Sequence, residues 1–109
     1  MGATFKENVS DIRNSRVIDV IRELQSFQIN VDVLDPHANS QELQHEYGVA
    51  LCNKVRQDYD AIIVAVNHDE FAAHDEAYFK TLLKDGKGIL VDVKGTYRNK
   101  IQDLTYWSL

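Results

Sequence analysis

The residues best suited to chemistry in this sequence are two cations close to its amino end. Lys6 ends a short stretch of small and aromatic residues, and Arg13 follows after a polar segment. If a helix begins at Ser10 or Asp11, then Arg13 lies in its first turn, where a cation opposes the helix dipole at a cost of about 0.3–1 kcal/mol. Backbone N–H groups at such a helix start attract phosphates, so an anion site is predicted. The alternative is that Arg13 pairs with Asp11 or Glu7 and that the lysine is solvated.

The other reactive side chains do not form a catalytic or metal-binding pattern, and we expect neither kind of site. Cys52 lies in the apolar run Val-Ala-Leu-Cys-Asn, which predicts a buried structural thiol rather than an activated nucleophile. The histidines lack the paired spacing of metal ligands on one helical face. His68 follows an apolar run, so it either lines a cleft or stands partly exposed beside a helix cap. Asp35 either contacts a ribose hydroxyl or forms an ordinary turn with Pro36.

Strands and helices alternate along the chain and must position these side chains. Apolar runs or alternation predict strands over residues 29–33, 61–66 and 89–93, with a further short strand at 49–51. Helical spacing predicts helices from Ser10 or Asp11 onward, over residues 40–47 with Ser40 as N-cap, and along 71–83, with a short one before Tyr59. The alternation predicts an α/β fold of three layers, a parallel sheet with helices on both faces. The opening stretch is too short for a complete buried strand, so we expect a truncated first strand.

Length, charge and cysteine content limit the class of protein. The 109 residues suit a single domain, and 17 acidic against 12 basic residues give a net charge of −5. A nucleic-acid partner is not expected, because binding to a phosphate backbone calls for a basic face. One cysteine excludes an internal disulfide, and no apolar run approaches the roughly 20 residues that span a bilayer. We expect a cytoplasmic protein without membrane contact.

The opening segment also carries a family resemblance. Residues 2–15 read Gly-Ala-Thr-Phe-Lys-Glu-Asn-Val-Ser-Asp-Ile-Arg-Asn-Ser, which resembles the start of the C-terminal domain of the UDP-glucose/GDP-mannose dehydrogenase family. Weaker similarities follow in order: Asp35-Pro36, Asn-His-Asp-Glu-Phe at 67–71, Asp-Val-Lys-Gly at 92–95, and a final Trp107 with Leu109. The pattern is most similar to the branch that oxidises UDP-N-acetylhexosamines in capsule and O-antigen synthesis. The resemblance implies a Rossmann-like nucleotide-sugar-binding domain over residues 1–109.

The resemblance also implies roles for matching positions. Phe5 and Lys6 match residues that contact the nucleotide-sugar, the lysine through its charge and the phenylalanine through backbone and packing contacts. Lys94 falls where many members have an arginine that binds substrate; lysine keeps the charge but loses the bidentate fork. Arg13 matches an arginine that reaches NAD held mainly by an amino-terminal domain.

Two parts of the family's machinery do not occur in this sequence. The family oxidises a sugar C6 alcohol to a carboxylate with two NAD, using a central-domain thiol and a glycine-rich dinucleotide loop. Cys52 does not match that thiol, so we expect a binding module that is inactive alone, partnered by a UDP-sugar, by other domains of its polypeptide and by a second copy in a parent homodimer. Two alternatives remain open, namely a flavodoxin-like regulatory module and a docking domain.

Overall fold

A parallel sheet forms the centre of the structure, a computed structural model that describes all residues from 1 to 109. Strands β1 (Ala61–Val64), β2 (Ile89–Asp92) and β3 (Thr105–Ser108) lie side by side in that order. The two predicted apolar runs therefore form β1 and β2, each slightly shorter than expected. The third strand was not predicted, because its sequence, Thr-Tyr-Trp-Ser, is only half-buried and lacks an apolar run.

The first residues of the chain extend this sheet on the other side of β1. The terminal amino group of Met1 donates to the Ile63 carbonyl at 2.6 Å, and Gly2 N–H donates to the Leu34 carbonyl at 2.8 Å. Val33 in turn forms a parallel bridge with Leu51. The backbone order across the sheet is thus that of an open doubly wound α/β fold, with the amino end at its centre. The predicted strand over residues 29–33 is reduced to the bridge at Val33, and the one at 49–51 to Leu51.

Four α-helices accompany the sheet: α1 (Val17–Ser26), α2 (Ser40–Tyr47), α3 (Asp69–Ala72) and α4 (Glu76–Leu82). Helix α2 has the predicted bounds and ends at Gly48 with a φ of 67°, but its N-cap is Asn39, whose side chain accepts the Glu42 N–H, and not Ser40. The helix predicted before Tyr59 does not form. No helix has both the length and the apolar composition needed to cross a membrane.

Helix α1 begins later than predicted, at Val17 rather than at Ser10 or Asp11. Asn14 adopts a φ of 58°, which a right-handed helix does not allow. The Asp11 carboxylate accepts the backbone N–H of Arg13 at 2.9 Å, so the segment before α1 forms a side-chain-supported turn. The prediction that Arg13 lies in a first helical turn is therefore wrong.

The core consists of two groups of buried side chains. One surrounds β1 and β2, and its members are Ile62, Val64, Phe71, Phe79, Leu82, Leu83, Leu90, Tyr97 and Leu104. The other surrounds the amino end and helices α1 and α2, and its members are Ala3, Ile12, Ile18, Ile21, Val33, Leu43 and Val49. Ala3 is completely buried, which fixes the start of the loop that carries Phe5 and Lys6.

Candidate functional site

Two loops that leave the carboxyl edge of the sheet meet at the proposed site. The first, here called the amino-terminal loop, is residues 4–8, and the second, the β2 loop, is residues 93–97. The Lys94 ammonium lies 4.0 Å from a Glu7 carboxylate oxygen, and both side chains are partly exposed. Through this ion pair, the loop that carries Lys94 lies beside the loop that carries Lys6. The Lys6 side chain is exposed. Phe5 is 55% exposed, so its ring is also available for contact.

A buried carboxylate and a buried histidine hold the amino-terminal loop. One Asp35 oxygen accepts the Ala3 N–H at 2.6 Å and lies 2.9 Å from His68 Nε2. His68 Nδ1 accepts the backbone N–H of Asn8 at 2.9 Å. The side chains of Asp35 and His68 are fully buried, so their contacts take place without competition from water.

The second Asp35 oxygen also accepts backbone donors. The N–H groups of His37 and Ala38 donate to it at 2.7 and 3.0 Å. Burial raises the pKa of Asp35, but hydrogen bonds from Ala3, His68 and His37 outweigh it, so the pKa lies below its ordinary value. The turn reading of Asp35-Pro36 is thereby confirmed, and the ribose contact is not available to this fully engaged carboxylate.

Both ends of the amino-terminal loop are fixed by further hydrogen bonds. Thr4 Oγ1 donates to the Lys6 carbonyl at 2.9 Å and lies 3.3 Å from His68 Nε2. At the other end, Asn8 has a φ of 59° and its side-chain oxygen accepts the Asp69 N–H at 2.9 Å. Phe5, Lys6 and Glu7 therefore form a short exposed stretch between two anchored residues.

A second buried carboxylate, Asp92, holds the β2 loop. It accepts the N–H groups of Thr96 and Tyr97 at 3.1 and 2.7 Å and the Tyr106 hydroxyl at 2.6 Å. Burial and then the bond to Asp92 raise the pKa of Tyr106. Lys94 thus projects from a turn whose backbone is tied to the end of β2.

Arg13 has a different environment from the two lysines. Its guanidinium donates two hydrogen bonds to Asp11, at 3.0 and 3.1 Å, and 85% of its side chain is exposed. These hydrogen bonds hold the pKa of Asp11 below its ordinary value. The Asp11 carbonyl also accepts the Phe5 N–H at 2.6 Å, which ties this turn to the amino-terminal loop. The alternative stated from the sequence, pairing of Arg13 with Asp11, is confirmed.

Several other side chains differ from their predictions. His68 is neither partly exposed nor in a cleft but completely buried, because Asp35, Asn8 and Phe71 surround it. Cys52 is half-buried rather than buried, and burial, followed by Asp32, raises its pKa, as expected of an inactive thiol.

Glu76 in the first turn of α4 accepts the N–H groups of residues 102–104 just before β3. Trp107 in β3 is 51% exposed.

The parallel sheet, with the amino end at its centre and a lysine-bearing loop on each of two neighbouring segments at its carboxyl edge, defines an α/β domain of the Rossmann type. The chain belongs to the UDP-glucose/GDP-mannose dehydrogenase family and is its UDP binding domain, whose model matches residues 1–99. This confirms the resemblance noted in the sequence.

Individual relatives agree with this assignment. The chain is 43% identical over 95 residues to the UDP-N-acetyl-D-glucosamine 6-dehydrogenase of Salmonella typhi and 38% identical over 96 residues to protein CapL of Staphylococcus aureus. These matches cover 86% and 87% of the chain but only 22% of each relative. Among solved structures, the UDP-N-acetyl-mannosamine dehydrogenase Cap5O from S. aureus shares the fold, with a TM-score of 0.71, 22% identity, and coverage of 98% of this chain and 24% of that one.

Proposed function

We propose that this chain binds the UDP part of a UDP-sugar as the single, C-terminal domain, residues 1–109, of an NAD-dependent nucleotide-sugar 6-dehydrogenase. The parent enzyme would oxidise the C6 alcohol of a UDP-hexose or UDP-N-acetylhexosamine to a uronic acid for capsular or other surface polysaccharide. The names of the relatives support this substrate class. The observation that carries the proposal is the Glu7–Lys94 contact, because it brings two cation-bearing loops together at the carboxyl edge of the sheet.

The three proposed substrate-binding residues, Phe5, Lys6 and Lys94, would make different kinds of contact with the UDP-sugar. Lys6 and Lys94 present ammonium groups that suit the oxygens of a diphosphate or of the sugar. Phe5 offers an exposed ring beside them for packing and a backbone already fixed by the Asp11 carbonyl. In the free chain the Glu7 carboxylate lies beside the Lys94 ammonium. A diphosphate would either replace this carboxylate or share the ammonium with it.

Arg13 would make this chain's contact with NAD. NAD would be held mainly by another domain and would supply the hydride acceptor for the oxidation of the sugar. Arg13 fits a role in phosphate binding because its side chain is 85% exposed and only two of its N–H groups bond to Asp11. A phosphate would compete with Asp11 for this guanidinium, so the contact would strengthen only when the cofactor is present.

The chain alone would bind without catalysing. Its only cysteine, Cys52, has a pKa raised by burial and then by Asp32, so it is not suited to act as a nucleophile for sugar oxidation. The reaction therefore requires other domains of the same polypeptide, and the 22% coverage of the relatives supports this division. We further propose that the parent works as a homodimer in the cytoplasm.

Titration of the chain with UDP, followed by amide chemical shifts, tests the proposal. We expect shifts concentrated in the amino-terminal loop and the β2 loop, and about tenfold weaker binding in Lys6→Gln and in Lys94→Gln, because each removes a charge-assisted contact. Lys87→Gln is the matched control, since this exposed lysine precedes β2 and so lies at the opposite edge of the sheet from Lys94. Absence of shifts at millimolar UDP, or equal losses in all three variants, would contradict the proposal.

A further inference from the structure

His68 is the one histidine with no exposed surface, and it joins two parts of the site. Its ring lies between the Asp35 carboxylate, 2.9 Å from Nε2, and the Asn8 N–H, 2.9 Å from Nδ1. Asp35 is 33 residues before it and Asn8 is 60 residues before it in the chain. The histidine is therefore the link between the end of the Val33–Leu34 segment and the far end of the amino-terminal loop.

The contacts of the ring define its proton position. Because the Asn8 N–H donates to Nδ1, that nitrogen must carry a lone pair, and the proton of the neutral ring is on Nε2. The Nε2–H group then donates to Asp35, an acceptor already fixed by the backbone of Ala3. Thr4 Oγ1, also near Nε2, directs its own proton to the Lys6 carbonyl. The opposite tautomer would place an N–H against the N–H of Asn8.

The loop conformation depends on this acceptor. Asn8 has a φ of 59°, an uncommon conformation for a residue other than glycine, which surrounding contacts must maintain. Two contacts do so at Asn8: the backbone N–H bonds to His68, and the side-chain oxygen accepts the Asp69 N–H. Without the acceptor on His68, the Asn8 N–H loses its partner, and the stretch from Phe5 to Glu7 loses one of its two anchors.

We propose that His68 is a positioning residue for nucleotide binding: its Nε2–H tautomer, oriented by Asp35, holds the amino-terminal loop so that Lys6 faces the diphosphate. The inference rests on the proposed function, but its structural part concerns the loop alone. His68 touches no ligand in this scheme and acts only through Asn8.

Two substitutions separate the two hydrogen bonds of the ring. The side-chain amide of glutamine reaches the position of Nε2, so His68→Gln keeps the donor to Asp35 and loses the acceptor for Asn8. The shorter amide of asparagine reaches the position of Nδ1, so His68→Asn keeps that acceptor and loses the donor to Asp35. We expect His68→Asn to be the less stable of the two in urea, because it leaves a buried carboxylate without its side-chain donor. His68→Gln should bind UDP about two- to tenfold more weakly than His68→Asn, the effect of one neutral hydrogen bond, and should lose hydrogen-exchange protection at the Asn8 amide.

His45→Gln in α2, at an exposed position, is the control for a histidine-to-glutamine change and should match the wild type. UDP affinities that follow the stability of the variants rather than the presence of the Asn8 acceptor would overturn the proposal. If neither His68 variant folds, the wild-type chain still decides, because nitrogen-15 shifts must show a protonated Nε2 and an unprotonated Nδ1. A protonated Nδ1 at neutral pH would refute it. Failure of the wild type to bind UDP would count against the proposed function, whereas the Asn8 amide and the His68 tautomer report on the loop independently.

Discussion

Asp35→Ala should be among the most destabilising single changes in this chain. It removes the acceptor of four hydrogen bonds, from the N–H groups of Ala3, His37 and Ala38 and from His68 Nε2. Water can replace the partner of the two part-buried donors, His37 and Ala38. The donors of Ala3 and His68 are buried, and each unsatisfied buried donor costs about 1–3 kcal/mol. Because Thr4 Oγ1, 3.3 Å from His68 Nε2, offers that donor a longer alternative, we expect a loss of about 1–6 kcal/mol. This is a large part of the roughly 5–15 kcal/mol that stabilises an ordinary domain.

Urea denaturation followed by circular dichroism measures this loss, provided that the slope with denaturant stays unchanged. Asp58→Ala is the matched control, because Asp58 is 54% exposed and pairs only with Arg56 on the surface, a contact worth at most about 1 kcal/mol. A thermal midpoint should fall by about 4–8 °C for each kcal/mol lost. A loss below about 1 kcal/mol for Asp35→Ala, or one equal to that of the control, would refute the reasoning that the buried Ala3 N–H has no other acceptor.

Three further predictions concern the same framework. The free energy of unfolding should fall on acidification, since the depressed pKa of Asp35 gives stability that is complete above its ordinary pKa of 3.8 and is lost as the pH falls through the depressed value. Urea titrations between about pH 5 and pH 2 should therefore show the wild type converging on Asp35→Asn, and a constant gap would contradict this. Phe79→Ala should cost about 3–5 kcal/mol in urea, because the ring is fully buried and packs edge-on against Tyr97 at 5.0 Å; Phe27→Ala, 70% exposed, should cost under about 1 kcal/mol. Gly2→Ala should destabilise the chain more than Gly48→Ala, since both have positive φ but only at Gly2 would a Cβ lie 2.6 Å from Val66; equal thermal midpoints would disprove the close approach.

The parts of the fold that follow from local sequence were predictable. The apolar runs that become β1 and β2 are typical of strands in a parallel sheet, although in the structure alternate residues of each strand are only half-buried or exposed. Helix α2 matched its predicted bounds because Gly48 takes the left-handed conformation that ends a helix. The start of α1 was misplaced because the left-handed φ of Asn14 and the turn at Asp11 depend on hydrogen bonds that residue types alone do not indicate. Strand β3 depends on pairing with β2, and its own side chains carry little signal.

The residues of the candidate site were likewise only partly predictable from the sequence. Lys6 could be chosen from sequence because it stands at what reads as a strand end, where ligands of a parallel sheet bind, whereas Lys94 was indicated by the family resemblance. The burial of His68 could not be predicted from sequence, because it depends on contact with Asp35, which is 33 residues away in the chain. Only the position of His68 directly after the β1 run indicated that it lies near this edge.

Both cation-bearing loops are built on the same principle. A buried carboxylate at or just after a strand end, Asp35 for one loop and Asp92 for the other, accepts several donors and fixes the backbone that leads to an exposed lysine. The loops are therefore ordered when the chain folds, so less conformational freedom is lost when a ligand binds. Loss of a buried carboxylate should thus weaken binding through disorder of a whole loop, and loss of a lysine should weaken it through one contact in an unchanged loop. The two kinds of variant are distinguished by amide exchange in the free protein, because only the first changes the loop before any ligand is added.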